Sequence, residues 1–555
     1  MKILTERIGK IGYCGLIVIF ACSMTILKTW QLDNDIWFIL NCGRYVTESG
    51  TIPHTEFATM HEGLHYVMEQ WLTAVIFWKV YSNFGVDGFL TFIWLIGFIL
   101  VFVYYRLCLY VSEGNKKISA LLAFAVGGGI VFNFIVTRPQ ILSTLILLTE
   151  IFLLEKFVRE KKIWTLCILP VLAIPFINMH AALFPMMIIV VLPFIAESLM
   201  QKVIPAKNFE ISLLPLIVTV IGIFIAGFIN PYGLEAITFL FVSYNPEIHG
   251  VIDELQPTSV GNFVGKVFFV FETLVIIAYT KKSLPPRYFF MTFGIMILGF
   301  VAIRNIFLFL MLATFPLAYA AKDWHPFDNF FSMKYKLFIP LFAGCIAEFY
   351  FLYSKAQTSE VVMHLPMKII FCTSIFLLLC FVFFYKREGK LFSEEISILR
   401  HKPLIALAVF QMIFFMSMYH YKHPAPQYEI YKPALDYLLE NNRAEDIILW
   451  TDCNSGGYAE FRGVKTYLDA RPEVFAISNN HKKDIIQEYF DFARGNLDYK
   501  EFFSRYNFTH IFITSNDTIP YLHLSEDEDY EMLFECEFPY GQGHGKIFKP
   551  VKKDD

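Results

Sequence analysis

Charged residues are scarce in this sequence: Asp, Glu, Lys and Arg together make up 17% of its 555 residues, whereas hydrophobic residues make up 56%. Such a composition excludes an ordinary soluble protein. Apolar runs of about 17–25 residues, the length of a helix that crosses a bilayer, recur along the first three quarters of the chain. We therefore predict an α-helical polytopic membrane protein. About thirteen candidate spans lie near 11–30, 88–111, 118–136, 140–157, 162–177, 180–198, 210–229, 262–280, 288–302, 305–321, 336–355, 366–385 and 402–420.

Several recognisable motifs are also missing. The ten cysteines show no paired spacing of the kind that binds a metal, and most fall within spans, where we expect them to pack as small apolar residues. Cys453 and Cys536 lie in the polar tail and could pair. No glycine-rich phosphate fingerprint is present, and we interpret Gly456-Gly457 as a turn. No small-residue cleavage site follows the first span, so we do not expect a cleaved signal peptide.

Basic residues predict the orientation. Lys and Arg favour cytoplasmic loops, and with thirteen spans every basic cluster between the spans falls on one side. This arrangement predicts a cytoplasmic N-terminus and an extracytoplasmic C-terminus in the plasma membrane. It requires that the short apolar segment 71–81 does not cross. We therefore predict an interfacial or re-entrant helix there, followed by a turn at 83–88.

The sequence changes character near Pro424 and Pro426, which predicts a membrane module over 1–423 and a soluble domain over 427–555. The net charge is −10 from Gln427 onward and +6 before it. Helices alternate with strands in the tail, a pattern typical of a small α/β domain. The predicted helices lie at 433–442 (with Pro433 near its start), 482–493 and 498–506, and the predicted strands at 446–450, 464–468 and 508–514.

The segment 31–71 is unusually long and polar for a loop that follows a membrane span. Asp33 and Asp35 stand where the chain leaves the bilayer, and carboxylates there are costly to desolvate, which favours a functional site. Two carboxylates at this spacing can share one divalent ion, or hold one metal and one acceptor. The alternative is that they cap and solvate the end of the span. We predict that both are catalytic.

Two arginines oppose the charge bias of the outer side. Arg138 and Arg304 each adjoin a span there, and a phosphate partner would explain them. An ion pair with an acid, or contact with lipid headgroups, is the alternative. His180 is a catalytic candidate, although a structural histidine is the commoner case. Weaker candidates are Asp253 and Glu254, and the spacings of His54, His61 and His65 match no standard metal site. The substrate-binding candidates are Arg44, His54, Glu56, Glu69, Gln70, Arg138, Gln140, Asn178, Arg304 and Asn305.

The order and spacing of these motifs resemble bacterial members of the GT-C glycosyltransferase superfamily over nearly the whole chain. The matching residues are Asp33 and Asp35, Gly43-Arg44-Tyr45, Gly50-x-Ile52-Pro53, Glu56-Phe57, Gln70-Trp71-Leu72, Arg138-Pro139-Gln140, Asn178-x-His180, Asn230-Pro231-Tyr232-Gly233, Arg304-Asn305 and, in the tail, Leu468-Asp469-x-Arg471.

The resemblance implies a GT-C fold with a C-terminal extracytoplasmic domain. It also implies an inverting enzyme that transfers a sugar from a polyprenyl-phosphate donor to a glycan, lipid or protein. Asp33 or Asp35 would act as base or as ligand of a divalent metal ion (Mg²⁺ or Mn²⁺), and Arg138 and Arg304 would stabilise the leaving phosphate. Some members of the superfamily need no metal, so both cases stay open. Membrane lipids are expected partners and nucleic acid is not.

Two other functions remain open. A transporter or assembly partner for lipid-linked glycans would be equally hydrophobic, but transporters commonly show inverted repeats and charges at mid-membrane. We find no convincing internal repeat in this sequence, and the candidate residues cluster outside the spans. A degenerate member that keeps the fold as a scaffold is the third possibility.

Overall fold

The computed structural model describes residues 32–201, 211–243, 255–259, 261, 263–281, 284–324, 427–515, 518–538 and 543–551. The predicted spans near 11–30, 336–355, 366–385 and 402–420 lie outside the described residues, as do Asp253 and Glu254.

The first part of the described chain is helical. Its helices coincide with every predicted span between 88 and 321, because long apolar runs leave the backbone no other way to satisfy its hydrogen bonds in lipid. Within the described ranges, Trp71–Val111, Ala181–Met200 and Ile303–Ala320 are long and apolar enough to cross a membrane. The helices are α1 Ile36–Ser49, α2 Trp71–Val111, α3 Lys116–Phe134, α4 Gln140–Glu160, α5 Trp164–Met179, α6 Pro185–Met200, α7 Leu213–Ala226, α8 Leu234–Ser243, α9 Phe263–Lys281, α10 Pro286–Val301 and α11 Ile306–Ala320.

Helix α2 contains a break that the sequence predicts. Gly85 lies in its middle with φ 66° and ψ −168°, a conformation essentially restricted to glycine. The residues before it form a separate short helix, and the break falls inside the turn predicted at 83–88. The segment 71–81 therefore forms the expected short helix before the longer apolar one.

The segment 31–71 is not the continuous loop that the sequence suggested. Residues Ile36–Ser49 form α1, and Gly50, at φ 67°, ends it by donating its N–H to the carbonyl of Val46. The first eight residues of α1 are all buried. Gly43 lies against α2 so closely that a Cβ at this position would stand 2.0 Å from the carbonyl oxygen of Ala74. Only glycine permits this contact.

Gly43→Ala is therefore expected to destabilise the protein by about 1–3 kcal/mol, the cost typical of overpacking. The obstructing atom belongs to the backbone, which moves less readily than a side chain. The measurement is thermal unfolding of the purified protein in detergent. Gly294→Ala in α10 is the matched control, because no atom lies within 4 Å of the added carbon there. Equal Tm values for the two variants would contradict the tight contact of α1 with α2.

Buried ion pairs join three of the apolar helices. The Arg287 guanidinium, fully buried at the start of α10, donates to Glu155 of α4 at 2.8 Å and to Glu197 of α6 at 3.0 Å. Arg159 donates to the last carbonyls of α2, with Nη1 2.7 Å from the oxygen of Tyr110. These contacts fix α2, α4, α6 and α10 relative to one another at one end.

The C-terminal part contains a small sheet of five strands in the order β2-β1-β3-β5-β4. Strand β1 is parallel to β2 and β3, whereas β5 is antiparallel to β3 and β4. The strands are β1 Ile448–Trp450, β2 Lys465–Thr466, β3 His510–Thr514, β4 Tyr530–Glu537 and β5 His544–Pro550. The helices are α12 Gln427–Asn441, α13 Cys453–Phe461, α14 Pro472–Phe475, α15 Ile477–Asn480, α16 Ile485–Ala493, α17 Tyr499–Ser504 and α18 Thr518–Glu526.

Two expectations for this part were wrong, and the pairing of Cys453 with Cys536, which the sequence left open, does not form. Gly456-Gly457 is no turn but lies within α13, which begins after Asp452 caps the N–H groups of Asn454 and Ser455. A Cβ on Gly456 would stand 2.1 Å from the carbonyl oxygen of Leu468, so the glycine is needed for close packing. Pro433 lies inside α12 rather than near its start. Cys453 and Cys536 are both free thiols.

Candidate active site

Asp33 and Asp35 immediately precede α1. The carbonyl of Asp33 accepts the N–H of Ile36 at 3.1 Å, and Asp35 occupies the N-cap position without making a side-chain capping bond. Instead, the Asp33 carboxylate accepts the N–H of Asp35 at 3.1 Å, and the Asp33 N–H donates to the hydroxyl of Thr137 at 2.9 Å. The two aspartates therefore do more than cap a helix end, because they are tied to the turn between α3 and α4.

Arg138 holds both carboxylates. Its Nε and Nη2 lie 2.9 and 2.8 Å from Asp33 Oδ1, and its Nη1 lies 3.1 Å from Asp35 Oδ2. All three side chains are partly accessible, with 26%, 21% and 29% of the Asp33, Asp35 and Arg138 side chains exposed. The cluster carries a net charge of −1 when both acids are ionised, and it can still be reached by a ligand.

A second group of polar side chains, Glu69, His180 and Arg304, lies next to the start of α2, the end of α5 and the start of α11. The carboxylate of Glu69 accepts the N–H of Ala182 at 3.1 Å, and the buried ring of His180 lies 2.9 Å from the hydroxyl of Ser143 through Nδ1. Burial raises the pKa of Glu69 to about 7, and the negative charge of Glu473 adds to the effect, whereas Arg304 opposes it. Glu69 therefore exchanges protons near neutral pH.

Arg304 is exposed in the short 3₁₀ turn Ile303–Asn305 and is close enough to Glu69 and His180 to influence their charge. Its side chain makes no hydrogen bond or ion pair with any residue that the structure describes. This cation is therefore available to an anionic ligand.

Two other predicted site residues, Asn178 and Arg44, make contacts that join elements of the fold. The amide of Asn178 accepts from the indole of Trp71 and donates to the carbonyl of Ile229, each at 2.8 Å. Arg44 donates to Asn41 at 2.6 Å and lies over the ring of Phe461 at 5.1 Å, so it faces α13.

The remaining predicted site residues are His54, Gln70, Asn305 and Gln140. His54 is exposed, with its ring 4.9 Å from that of Tyr232. Gln70 precedes α2, and its carbonyl accepts the N–H of Ala74. Asn305 donates to the carbonyl of Leu298 at 3.0 Å. The buried Oε1 of Gln140 has no partner among the described residues.

Glu56 belongs to a buried ion-pair cluster rather than to the aspartate pair. The Arg471 guanidinium lies 2.9 Å from Glu56, 2.6 Å from Asp469 and 3.7 Å from Glu460, and all four side chains are buried. Burial, with the negative charge of Asp469, raises the pKa of Glu460 well above its usual range. We name Glu56, Glu460, Asp469 and Arg471 the Arg471 cluster; it joins the segment 31–71 to the C-terminal part.

Sequence reasoning missed Glu473. This residue lies in α14, two positions after Arg471, and its half-buried carboxylate makes no ion pair or side-chain hydrogen bond with the described residues. Burial raises the pKa of Glu473 to about 7, and the charges of Asp469 and Asp35 act in the same direction. No local pattern marks Glu473, because Asp35 and Glu69, which lie near it, come from distant parts of the chain.

A metal ion does not fit the arrangement observed. Among the residues that the structure describes, no group of three or more His, Cys, Asp or Glu side chains is arranged to hold one. Asp33 and Asp35, the predicted ligands, both bind the guanidinium of Arg138. A cation between them would repel that arginine.

No family model and no curated protein matches the sequence. Solved structures do match. The archaeal oligosaccharyltransferase AglB from Archaeoglobus fulgidus, in complex with an inhibitory peptide and a dolichol-phosphate, aligns with a TM-score of 0.56 at 10% identity, over 98% of this chain and 74% of AglB. ArnT from Cupriavidus metallidurans, bound to undecaprenyl phosphate, aligns with a TM-score of 0.53 at 11% identity, over 97% of each chain.

The chain has the GT-C fold. A third structure, the apo form of the Archaeoglobus fulgidus oligosaccharyltransferase, agrees at a TM-score of 0.52 and 12% identity, over 90% of this chain and 69% of that one. The resemblance inferred from the order of the motifs is confirmed at the level of the fold. Within this GT-C fold, the segments that carry Asp33, Arg138, Glu69, His180 and Arg304 all meet at one end of the helices.

Proposed function

We propose that this GT-C protein is an inverting glycosyltransferase of the plasma membrane that takes a sugar from a polyprenyl-phosphate donor. The observation that carries the proposal is the accessible cluster of Asp33, Asp35 and Arg138, together with the cation of Arg304, which lies near Glu69 and His180 and has no side-chain partner among the described residues. The solved structures with this fold include ArnT with undecaprenyl phosphate and AglB with a dolichol-phosphate. The distribution of basic loops supports an extracytoplasmic position for this face, where the acceptor would be a glycan, lipid or protein.

The two aspartates have different roles in the mechanism that we propose. Oδ1 of Asp33 accepts from Nε and Nη2 of Arg138 and from the N–H of Asp35, so Asp33 holds the cluster together. Asp35 accepts the proton of the acceptor hydroxyl. The acceptor oxygen forms the new bond to the anomeric carbon while the bond from that carbon to the phosphate oxygen breaks. Polyprenyl phosphate leaves with the bonding electrons, and the configuration at the anomeric carbon inverts.

Arg304 is the residue that we assign to the leaving phosphate. Charge-assisted hydrogen bonds from a guanidinium stabilise the charge that develops on the phosphate oxygens as the bond breaks. Arg138 already binds two carboxylates, so its contribution is to keep both of them ionised and in place. No step in this mechanism runs through a metal ion.

Arg304→Ala is expected to raise KM for the donor and to lower kcat/KM by about 10- to 100-fold, since a hydrogen bond to a charged group contributes about 1.5–3 kcal/mol. The measurement is sugar transfer by the purified full-length protein from a panel of undecaprenyl-phosphate sugars. Arg443→Ala removes an exposed arginine of the C-terminal part, which pairs with Glu445, and should change neither constant. Equal effects of the two substitutions would contradict the role of Arg304. Absence of transfer from every donor would favour a transporter or scaffold instead.

A further inference from the structure

Three distant parts of the chain form a crevice of about 170 Å³. The segment 31–71 contributes His65 and Val67, α8 contributes Glu235 and Phe239, and the C-terminal part contributes Glu473. Glu473 connects the crevice to the reacting groups, because it is close enough to feel the charges of Asp35 and Glu69. A molecule in the crevice would therefore contact Glu473, through which the crevice adjoins the aspartate cluster.

The lining of the crevice limits the charge of its occupant. The lining holds two carboxylates, Glu235 and Glu473, and no Lys or Arg among the described residues; the side chains that can offset the acids are His65, 3.5 Å from Glu235, and His481. An anion such as a phosphate would be repelled. Carboxylate and amide groups next to apolar side chains suit a sugar ring, which offers hydroxyls around its edge and C–H groups on its faces.

The size of the crevice also suits a single sugar ring. Pockets for drug-sized ligands begin at about 300 Å³, and this one, at about 170 Å³, has room for a single ring rather than for an extended chain. It is open on one side to solvent, so a longer glycan could continue outward from that ring.

We propose that this crevice is the acceptor subsite, that it binds a neutral carbohydrate, and that Glu473 accepts a hydrogen bond from a hydroxyl of that sugar beside Asp35. The inference rests on the proposed function, in that it supplies the acceptor class for the same site. The carboxylate of Glu473 accepts a hydrogen bond from its own backbone N–H and has no side-chain partner among the described residues, so it keeps acceptor positions for a ligand.

The structure holds Glu473 in place from both sides. The carbonyl of Glu473 accepts the amide of Asn479 at 2.7 Å, and the carbonyl of Arg471 accepts the N–H of Val474 at 3.0 Å. Arg471 itself is fixed by its buried acids. The C-terminal part would thus supply an acceptor-binding residue, and the site would be incomplete without it.

Two readouts on the full-length protein in detergent test the acceptor subsite. The first is the binding of a set of methyl hexopyranosides, measured by saturation-transfer NMR in the absence of any donor. The second is the ratio of sugar transfer onto the same glycosides to hydrolysis of the undecaprenyl-phosphate sugar by water. Glu473→Gln is expected to weaken binding and to lower that ratio, each by at least about tenfold, the effect of about 1.4 kcal/mol. Glu473→Asp keeps the charge and should recover part of both.

Glu531→Gln, an exposed residue of β4, is the matched control and should behave as the unsubstituted protein. If Glu473→Gln binds the glycosides as well as the unsubstituted protein, or if a peptide displaces them while they support no transfer, the acceptor subsite is overturned. If the glycosides bind in a Glu473-dependent way but no donor reacts, the carbohydrate site stands and the proposed glycosyl transfer fails.

Discussion

Asp35→Asn is expected to lower the rate of sugar transfer by about 10²- to 10⁴-fold, the contribution typical of a general base. The amide keeps the shape of the side chain and can still lie beside Arg138, but it cannot accept the proton of the acceptor hydroxyl. Because binding of the donor does not need that proton transfer, the loss should appear in kcat rather than in KM for the donor. The measurement is steady-state transfer by the purified protein.

Asp33→Asn tests whether Asp33 positions the cluster while Asp35 acts as the base. Oδ1 of Asp33 makes two contacts with Arg138, so the amide should loosen the arginine and lower kcat less than the change at Asp35. Asp87→Asn, at an exposed position near the break in α2, is the control and should leave the rate unchanged. Undiminished transfer by both Asp33→Asn and Asp35→Asn would remove the proposed mechanism.

Arg471→Met is expected to destabilise the protein by about 3–5 kcal/mol, the cost of leaving a buried charge without its partner. The substitution keeps much of the side-chain volume but deprives Glu56 and Asp469 of their counter-ion, at 2.9 and 2.6 Å in the intact protein. Because the Arg471 cluster joins the segment 31–71 to the C-terminal part, that part should detach first. Thermal unfolding and limited proteolysis of the tail would measure the effect.

Glu460→Gln is the matched control for the Arg471 cluster. Burial and the negative charge of Asp469 raise the pKa of Glu460 well above its usual range, and Glu460 lies farther from Arg471, at 3.7 Å, than Glu56 and Asp469 do. An amide of the same shape should therefore cost less than about 1 kcal/mol. Similar losses of stability in Arg471→Met and Glu460→Gln would show that the arginine is not the counter-ion on which the contact depends.

The sequence predicted the apolar helices between 88 and 321 well because apolar length is a local property. The break in α2 at Gly85 was also accessible, since a polar, glycine-containing turn interrupts the apolar pattern. Helix α1 was not predicted. Its apolar residues are buried by α2 on one side and by α13 on the other, and Trp37 packs against Tyr458 at 4.8 Å. No residue near α1 in the sequence indicates that α2 and α13 will pack against it.

For the site as well, features with a local sequence pattern could be predicted and long-range contacts could not. Asp33, Asp35 and Arg138 could be identified because charges at the ends of apolar runs need an explanation, and the structure brings all three together. Glu473 could not be identified, and neither could the pairing of Glu56 with Arg471, although both of these residues stand in motifs that the sequence analysis singled out. Asp35 and Glu69, which lie near Glu473, and Glu56, which pairs with Arg471, belong to segments hundreds of positions away.

The contact between Arg471 and Glu56 spans 415 positions of the chain. At about 5–20 residues per second, the ribosome needs about 20–80 s to add the residues between them. During that interval the aspartates and their helix have already emerged, while the arginine that anchors their loop does not yet exist. Formation of this contact is therefore one of the last events in biosynthesis, and we expect a prematurely terminated chain to insert into the membrane without it.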